Sequence, residues 1–241
     1  MYLIIDIGNT RVKAALFNKG EIQEVIHFDY RDFDLKIKEI HEQYKPKQAI
    51  ISAVGRLSQV NKTLVNKLFK CVELNTSTKL NFENKYATPT TLGVDRIALT
   101  ASAIAHYPNQ NVLIIDAGTC VTYDFVTKDR EYLGGAIAPG VQSRYKSLHD
   151  YTANLPLLEK TNPKHFIGTT TEASIHSGVS NGICREIDGV IQQYLATYKK
   201  LTVVLTGGDA EFLADQLKSS IFVRPFFLLE GLFTILKINI Q

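Results

Sequence analysis

The sequence predicts an α/β protein built from two related halves. Apolar strand segments alternate with amphipathic helical segments along the 241 residues. Met1–Leu16 (MYLIIDIGNTRVKAAL) and Asn111–Phe125 (NVLIIDAGTCVTYDF) share one pattern: an apolar strand ending in Ile-Ile-Asp, a turn with Gly and Thr, and a second strand. Asp116 occupies the place in the second segment that Asp6 occupies in the first. This repeat predicts a duplicated domain whose two acidic turns face one cleft.

The first half predicts one five-stranded mixed sheet with the element order βββαβαβ. The spacing of the first two apolar runs is typical of antiparallel strands joined by a tight turn. Ser52 and Gly55, near the end of the fourth strand, are expected to border the cleft. The expected strands are Tyr2–Ile5, Val12–Phe17, Gly20–Phe28, Gln48–Val54 and Cys71–Leu74, and the expected helices are Phe33–Tyr44 and Leu57–Phe69.

The turn after Asp6 carries groups that suit a phosphate and a divalent cation. Gly8 permits close backbone approach, the Asn9 and Thr10 side chains offer polar groups, and the Asp6 carboxylate is a ligand for a hard cation. Lys13 adds a positive charge. An ordinary hairpin, in which Asn and Gly only form the turn, explains the same residues.

A polar, irregular segment, Asn75–Thr91, precedes an apolar helix expected at Ile97–His106. Asp95 and Arg96 are adjacent charges at the start of this helix. If the helix is buried, Asp95 can accept a hydroxyl proton and Arg96 can bind a carboxylate through its planar fork. In the simpler alternative, Asp95 caps the helix and Arg96 is solvated.

The second half contains three further segments of interest. Tyr132–Gly140 (YLGGAIAPG) is expected to be a glycine-rich loop before a helix at Ser143–Asp150. Gly168–Ala173 opens a long helix that runs to about Tyr198, and its threonines suit either an anion or a capping box. Thr206–Ala210, between a strand and a helix, suits either nucleotide contact or a simple tight turn. An apolar helix from Phe226 closes the chain.

Composition excludes several classes of function. The net charge is +3 and Lys and Arg form no dense block, so neither nucleic acid nor an anionic membrane is indicated as a main partner. No apolar run approaches the roughly 20 residues of a membrane span, and Asp6 interrupts the N-terminal apolar run, which argues against a secretory signal. Cys71, Cys120 and Cys184 lack C-x-x-C spacing. They predict a reducing cytoplasmic setting and no structural zinc site.

Taken together, these motifs resemble those of the type III pantothenate kinases. This family belongs with acetate and sugar kinases, heat-shock ATPases and actin. The resemblance covers nearly the whole chain, and the segment around Gly93–Arg96 after the Tyr86-containing loop is its most specific part. The matching segments are Asp6–Thr10, Thr91–Arg96, Ile115–Thr119, Gly134–Gly135, Pro139–Gly140, Thr152–Pro156 and Thr206–Gly208.

The resemblance implies an α/β fold of duplicated ribonuclease-H-like (actin-like ATPase) domains, residues 1–110 and 111–241. Each is expected to be a mixed five-stranded sheet flanked by helices. The implied activity is transfer of the ATP γ-phosphoryl group to pantothenate, the first step of coenzyme A biosynthesis. The implied cofactors are ATP, Mg²⁺ and a monovalent cation, K⁺ or NH₄⁺, and the implied assembly is a homodimer.

The resemblance also implies residue roles. Asp95 is the implied proton acceptor, Asp6 lies near the magnesium ion, and Asp116 binds the monovalent cation. Thr170 stands where the family commonly has Asn, beside the implied pantothenate contact Thr171. The implied ATP-binding residues are Asp6, Ile7, Gly8, Asn9, Thr10, Arg11, Val12, Lys13 and Thr119. The implied pantothenate-binding residues are Tyr86, Gly93, Val94, Asp95, Arg96 and Thr171.

Two other functions remain open at this stage. One is a related kinase that acts on a different small alcohol or carboxylate. The other is a non-catalytic, nucleotide-binding transcriptional accessory factor. The presence of Asp6, Lys13, Asp95 and Asp116 argues against the second alternative, because a regulator does not require a proton acceptor.

Overall fold

The computed structural model describes residues 1–8, 11–54 and 58–240. Contacts divide the chain into two compact units. The first comprises residues 1–106 with the segment from Phe227 onward, and the second comprises Tyr107–Phe226. The last helix therefore groups with the first unit. A division into duplicated halves after residue 110 stays a prediction.

The described residues form eleven strands and eight α-helices. The strands are β1 (Tyr2–Ile7), β2 (Val12–Asn18), β3 (Glu21–Phe28), β4 (Gln48–Ala53), β5 (Lys70–Glu73), β6 (Glu83–Asn84), β7 (Asn111–Ala117), β8 (Cys120–Val126), β9 (Glu131–Pro139), β10 (Leu201–Thr206) and β11 (Phe222–Val223). The helices are α1 (Phe33–Tyr44), α2 (Gln59–Leu68), α3 (Val94–His106), α4 (Val141–Asp150), α5 (Thr171–His176), α6 (Gly182–Thr197), α7 (Ala210–Ala214) and α8 (Phe227–Asn239).

The first unit contains a mixed sheet with the strand order β3-β2-β1-β4-β5. The central strand β1 pairs antiparallel with β2 and parallel with β4. The predicted order βββαβαβ is confirmed. It arises because a two-strand turn can join β1 to β2, whereas the parallel pairs need helical crossovers through α1 and α2.

Successive side chains of β1 point to opposite faces of the first sheet, one of which faces an apolar core. Leu3, Ile5 and Ile7 lie in one apolar core with buried residues of α1 and α2. Side chains at even positions point the other way. On that side the Phe17 ring of β2 stacks on Phe233 of α8 with 4.4 Å between the ring centroids. The same face carries Asp6 at its far end.

Gly231 lets α8 pack directly on α3. A Cβ atom at this position would lie 1.8 Å from the Ala98 carbonyl oxygen. We expect Gly231→Ala to lower the free energy of unfolding by about 1–3 kcal/mol, the usual cost of overpacking a core. Urea unfolding of the purified variant measures this change.

Gly189→Ala provides the matched control. Gly189 lies in α6, and nothing lies within 4 Å of a Cβ built there. Alanine should therefore stabilise that helix by about 0.5–1 kcal/mol through its higher helix propensity. Equal unfolding midpoints for the two variants would contradict the close α3–α8 packing.

The second unit repeats the sheet pattern. Its described strands lie in the order β11-β10-β7-β8-β9. The central strand β7 pairs antiparallel with β8 and parallel with β10, as β1 does with β2 and β4. A core of apolar residues from β7, β8 and β10 packs against α4, α5 and α6. The mixed α/β architecture predicted from the sequence is confirmed.

Three expectations about the elements are wrong. Tyr132–Gly140 is not a loop, because β9 covers Glu131–Pro139 and pairs with β8. The long helix after Gly168 is interrupted, since a turn of π-helix at Ser177–Asn181 separates α5 from α6. The helix expected from Ile97 begins earlier, at Val94, which brings Asp95 and Arg96 into its first turn.

Within the described residues no helix has the length and apolar character needed to cross a bilayer.

Candidate active site

Asp6 lies near the carboxyl end of β1 and is only 7% exposed. Its partners in the strand register are Lys13 on β2 and Ser52 on β4. Directly after the strand, the Gly8 amide donates a 3.1 Å hydrogen bond to the Arg11 carbonyl oxygen. Asp6 is therefore buried one residue before the end of β1, with β2 on one side and β4 on the other.

The environment of Asp6 disfavours its charged form. Burial raises the pKa of the carboxyl group to about 6, while the positive charge of Lys13 opposes the rise and the negative charge of Asp95 adds to it. The carboxylates of Asp6 and Asp95 therefore interact, although one is on a strand and the other on a helix. A buried acid beside a second acid is an arrangement that a bound cation relieves.

Asp6 gives the protein a specific pH dependence. The carboxyl pKa is 3.8 in the unfolded chain and about 6 in the folded protein. Between these values the folded state binds more protons than the unfolded state, so stability falls as the pH rises. Above pH 6 the penalty approaches about 3 kcal/mol.

We expect Asp6→Asn to remove this slope, because the amide does not ionise. Urea unfolding of both proteins at intervals from pH 4 to pH 7, with no nucleotide or divalent cation, measures the difference. The variant should become progressively more stable than the wild-type protein over this range. A constant difference in the free energy of unfolding at all pH values would mean that folding does not raise the pKa of Asp6.

Asp95 lies in the first turn of α3. One of its carboxylate oxygens accepts a 2.8 Å hydrogen bond from the Arg96 backbone amide. A Cβ atom at Gly93 would lie 2.4 Å from the same oxygen, so the absence of a side chain at Gly93 makes room for the carboxylate. Asp95 is partly exposed, as are Gly93 and Val94. Asp95 is the second residue of the helix rather than the residue before it, and its carboxylate still satisfies a first-turn amide, as the capping alternative expects.

Arg96 is buried, with 5% exposure. Its guanidinium carbon lies 5.6 Å from the centre of the Tyr86 ring, within the range of a cation–π interaction. The alternative that Arg96 is solvated is therefore wrong. The structure brings Tyr86, Gly93, Val94, Asp95 and Arg96 together at one end of α3 in the first unit.

The segment predicted to bind ATP divides into two groups by side-chain direction. The Ile7 and Val12 side chains lie in the apolar core of the first sheet, so any ligand contact from them comes from the backbone. Lys13 faces the same side of the sheet as Asp6, and Arg11 is exposed. The predictions for Asn9 and Thr10, and for Gly55, fall outside the described residues.

Asp116 in the second unit has the position that Asp6 has in the first, because it also lies one residue before the end of the central strand. Asp116 on β7 pairs with Thr122 on β8 and with Thr206 on β10. Gly207, with a backbone φ of +96°, lies against it: an added Cβ would be 2.4 Å from the Asp116 Oδ1 atom and 2.3 Å from the Ala117 carbonyl oxygen. The Thr-Gly-Gly turn is thus packed directly on the acidic turn.

Thr119 is exposed, and its backbone is fixed by the start of α4. The Thr119 carbonyl oxygen accepts hydrogen bonds from the Gly140 amide at 3.0 Å and from the Ser143 hydroxyl at 2.7 Å. Ser143 was not predicted from the sequence. Its only signal was a hydroxyl in the first turn of a helix that follows a Pro-Gly pair.

Thr171 is the first residue of α5 and is exposed. Thr170 caps the helix, because its side chain accepts a 3.1 Å hydrogen bond from the Ala173 amide. Both threonines line a cavity of about 730 Å³ whose walls include Leu148 and Leu155. Its volume lies in the range of small-molecule pockets.

The donor sets fit the implied cations. No cluster of three or more His, Cys, Asp or Glu residues forms a metal cage in the described chain. Mg²⁺ commonly uses only one or two carboxylates with substrate phosphates, and the buried Asp6 with its neighbour Asp95 offers this chemistry. Asp116 is partly exposed, so its carboxylate can supply an oxygen ligand to a cation.

Comparison with known proteins identifies close relatives over the whole chain. The model of the family described as type III pantothenate kinase matches residues 2–193. A type III pantothenate kinase of Christiangramia forsetii is 45% identical over 240 residues, covering 99% of each chain. One of Flavobacterium johnsoniae is 44% identical over 233 residues, covering 96% of each.

Solved structures share the fold at low sequence identity. A Baf family protein from Campylobacter jejuni has a TM-score of 0.63 at 21% identity, with 98% of each chain covered. A glucokinase from an Antarctic psychrotroph has a TM-score of 0.53 at 12% identity, again with 98% of each chain covered. These similarities establish the actin-like, sugar-kinase-like fold.

Proposed function

Because the chain belongs to the type III pantothenate kinase family, an ATP-dependent family that phosphorylates pantothenate in coenzyme A biosynthesis, we propose a specific assignment of roles to its residues. The observation that carries the assignment is the placement of two acids in the first unit: Asp6 is buried near the end of β1, and Asp95 lies at the start of α3 beside buried Arg96, which lies against the Tyr86 ring. Asp6 would act at the nucleotide, and Asp95 would act at the hydroxyl group of pantothenate.

Asp95 is the proposed proton acceptor for the primary hydroxyl of pantothenate. Phosphoryl transfer has a loose transition state in which bond formation to the attacking oxygen lags behind. The hydroxyl proton therefore leaves late, and a weak base suffices if it orients the hydroxyl. The Arg96 amide, by donating to one carboxylate oxygen, fixes the direction of the other.

Arg96 and Tyr86 are proposed to bind the rest of pantothenate. A guanidinium group matches the pantothenate carboxylate through its planar fork, which lysine lacks. The Tyr86 ring beside the guanidinium limits its rotation and shields it from water. Gly93 and Val94 complete this surface at the start of α3.

Asp6, Gly8 and Lys13 are proposed to serve the ATP phosphates. Asp6 would hold Mg²⁺ through an oxygen ligand, and the ion would supply positive charge for the γ-phosphoryl transition state. Lys13, across the strand register from Asp6, would contribute a second positive charge. Gly8, which has no side chain, would permit close approach of a phosphate oxygen to the backbone.

Asp116 is the proposed ligand for the monovalent cation, K⁺ or NH₄⁺, and Thr119 is a proposed ATP contact. Support comes from the turn itself: Gly207 contacts it on one side, and Gly140 and Ser143, at the start of α4, hydrogen-bond to the Thr119 carbonyl oxygen on the other. A rigid backbone lowers the entropic cost of binding an ion or nucleotide there.

We also propose a homodimer and a cytoplasmic location. Tyr151, Phe166 and Ile167 are at least three-quarters exposed, with exposed fractions of 88%, 75% and 75%. Exposed large apolar groups are typical of protein interfaces. Thr171 would then contact pantothenate near this surface. All three cysteines are free thiols, which suits a reducing compartment.

A coupled ADP-release assay with pantothenate tests the assignment. The expected result is ADP formation that requires pantothenate and Mg²⁺ and rises when K⁺ replaces Na⁺. A panel of other small alcohols and hydroxy acids tests the related-kinase alternative. Nucleotide binding without ADP release in the presence of pantothenate would instead favour the accessory-factor alternative.

A further inference from the structure

Ser52 has an unusual position for a hydroxyl group. It lies near the carboxyl end of β4 and is 0% exposed, and its Oγ atom has no hydrogen-bond partner among the described residues. Buried hydroxyl groups in native proteins are nearly always satisfied, and exceptions commonly mark a site for a water or ligand. The family assignment does not account for this residue.

Ser52 is the direct neighbour of Asp6 across the sheet. The two residues are register partners in the parallel β1–β4 pair, so their side chains leave the same face of the sheet. Neighbouring strands lie about 4.8 Å apart. At this separation, with no direct bond from Ser52 Oγ to the carboxylate, a small oxygen-containing group can contact both side chains.

The second unit has the same pairing. Thr206 on β10 is the register partner of Asp116 on β7, and it is 2% exposed. In both units the acid on the central strand therefore has a buried hydroxyl residue beside it on the parallel neighbour. The same acid–hydroxyl pair therefore occurs at the corresponding place in both units, which favours a functional role for the hydroxyl group over packing alone.

We propose that Ser52 is a positioning residue for the cation at Asp6. Its hydroxyl accepts a hydrogen bond from a cation-bound water that also contacts the Asp6 carboxylate. Mg²⁺ in nucleotide sites retains several waters, and these waters need acceptors with fixed positions. The proposal rests on the proposed role of Asp6 in holding this cation.

The test measures nucleotide binding rather than catalysis. Isothermal titration calorimetry gives the affinity of the full-length protein for ADP with Mg²⁺ and for ADP with EDTA. Ser52→Ala should bind ADP with Mg²⁺ about fivefold more weakly, the effect of one lost hydrogen bond. Its affinity for ADP in EDTA should equal that of the wild-type protein, because the contact passes through the cation.

Ser102→Ala is the matched control. Ser102 lies in α3, is also 0% exposed, and also has an Oγ atom with no partner among the described residues. Removing either buried hydroxyl should keep or raise the urea midpoint, since an unsatisfied polar group is lost. Ser102→Ala should leave both ADP affinities unchanged.

Two results would overturn the inference: wild-type affinity for ADP with Mg²⁺ in Ser52→Ala, or an equal loss in Ser102→Ala. Asp6→Asn separates this failure from failure of the proposed function. If Asp6→Asn loses Mg²⁺-dependent binding while Ser52→Ala keeps it, only the role of Ser52 is wrong. If Asp6→Asn retains that binding, the proposed cation site itself is wrong.

Discussion

Replacing Asp95 with asparagine is expected to lower turnover at least about a hundredfold, the usual contribution of a positioned acid or base. The amide oxygen can still accept the hydrogen bond that the carboxylate receives from the Arg96 amide. The fold should therefore persist, whereas acceptance of the hydroxyl proton is lost. Steady-state ADP release at saturating pantothenate measures the change.

The same substitution has a second readout that does not depend on turnover. The negative charge of Asp95 raises the pKa of Asp6. Its removal should shift the titration of the Asp6 carboxyl group to lower pH, visible by NMR of that carboxyl carbon in the unliganded protein. Asp129→Asn, at an exposed residue, is the control and should change neither quantity. Turnover of Asp95→Asn near the wild-type value would remove Asp95 from the mechanism.

Replacing Gly207 with alanine is expected to lower stability and also the activation by K⁺ that we propose for the Asp116 site. The added Cβ would lie 2.3 Å from the Ala117 carbonyl oxygen and 2.4 Å from the Asp116 carboxylate, and the backbone φ of +96° strains any residue with a side chain. A loss of about 1–3 kcal/mol in the free energy of unfolding follows from the strain. Because the carboxylate must move, K⁺ activation should weaken at least about tenfold, as expected for a misplaced ligand.

Gly208→Ala is the matched control one residue later. Nothing lies within 4 Å of a Cβ at Gly208. Urea unfolding and the concentration of K⁺ that gives half-maximal activation, measured for both variants, separate the two positions. Equal behaviour of the two variants would show that the contact between the Thr-Gly-Gly turn and Asp116 has no functional importance.

Local patterns predicted most of the first unit. The helix Phe33–Tyr44 has the predicted bounds, and each of the five strands was placed within two residues of its observed ends. These elements are short, strongly periodic and separated by clear turn residues, so local sequence is enough to define them. The spacing of the first two apolar runs predicted the antiparallel β1–β2 pair, and the structure adds the register that places Lys13 opposite Asp6.

Errors arose where tertiary contacts override local preference. Gly134 and Gly135 made β9 resemble a loop, although a Cβ at Gly135 would lie 1.5 Å from the Tyr123 carbonyl oxygen of β8. Glycine at position 135 therefore permits close strand pairing rather than a turn. The π-helical turn after α5 likewise has no reliable sequence signal.

The candidate site was only partly predictable for a similar reason. Motif residues such as Asp95 and Arg96 could be named from sequence, but their environment could not. The burial of Arg96 beside Tyr86 and the pairing of Asp6 with Ser52 depend on contacts across 10 and 46 residues of chain. Such contacts are set by strand register and helix packing, which single-sequence patterns do not specify.

The grouping of α8 with the first unit has a consequence for biosynthesis. The ribosome makes the whole second unit, Tyr107–Phe226, before it makes α8. Until then, the face of β1 and β2 that stacks on Phe233 lacks its cover, and the Ala98 backbone lacks Gly231. The newly made N-terminal segment therefore exposes this apolar surface until α8 is synthesised. Exposed apolar surface of this kind makes the segment a candidate for chaperone binding during translation.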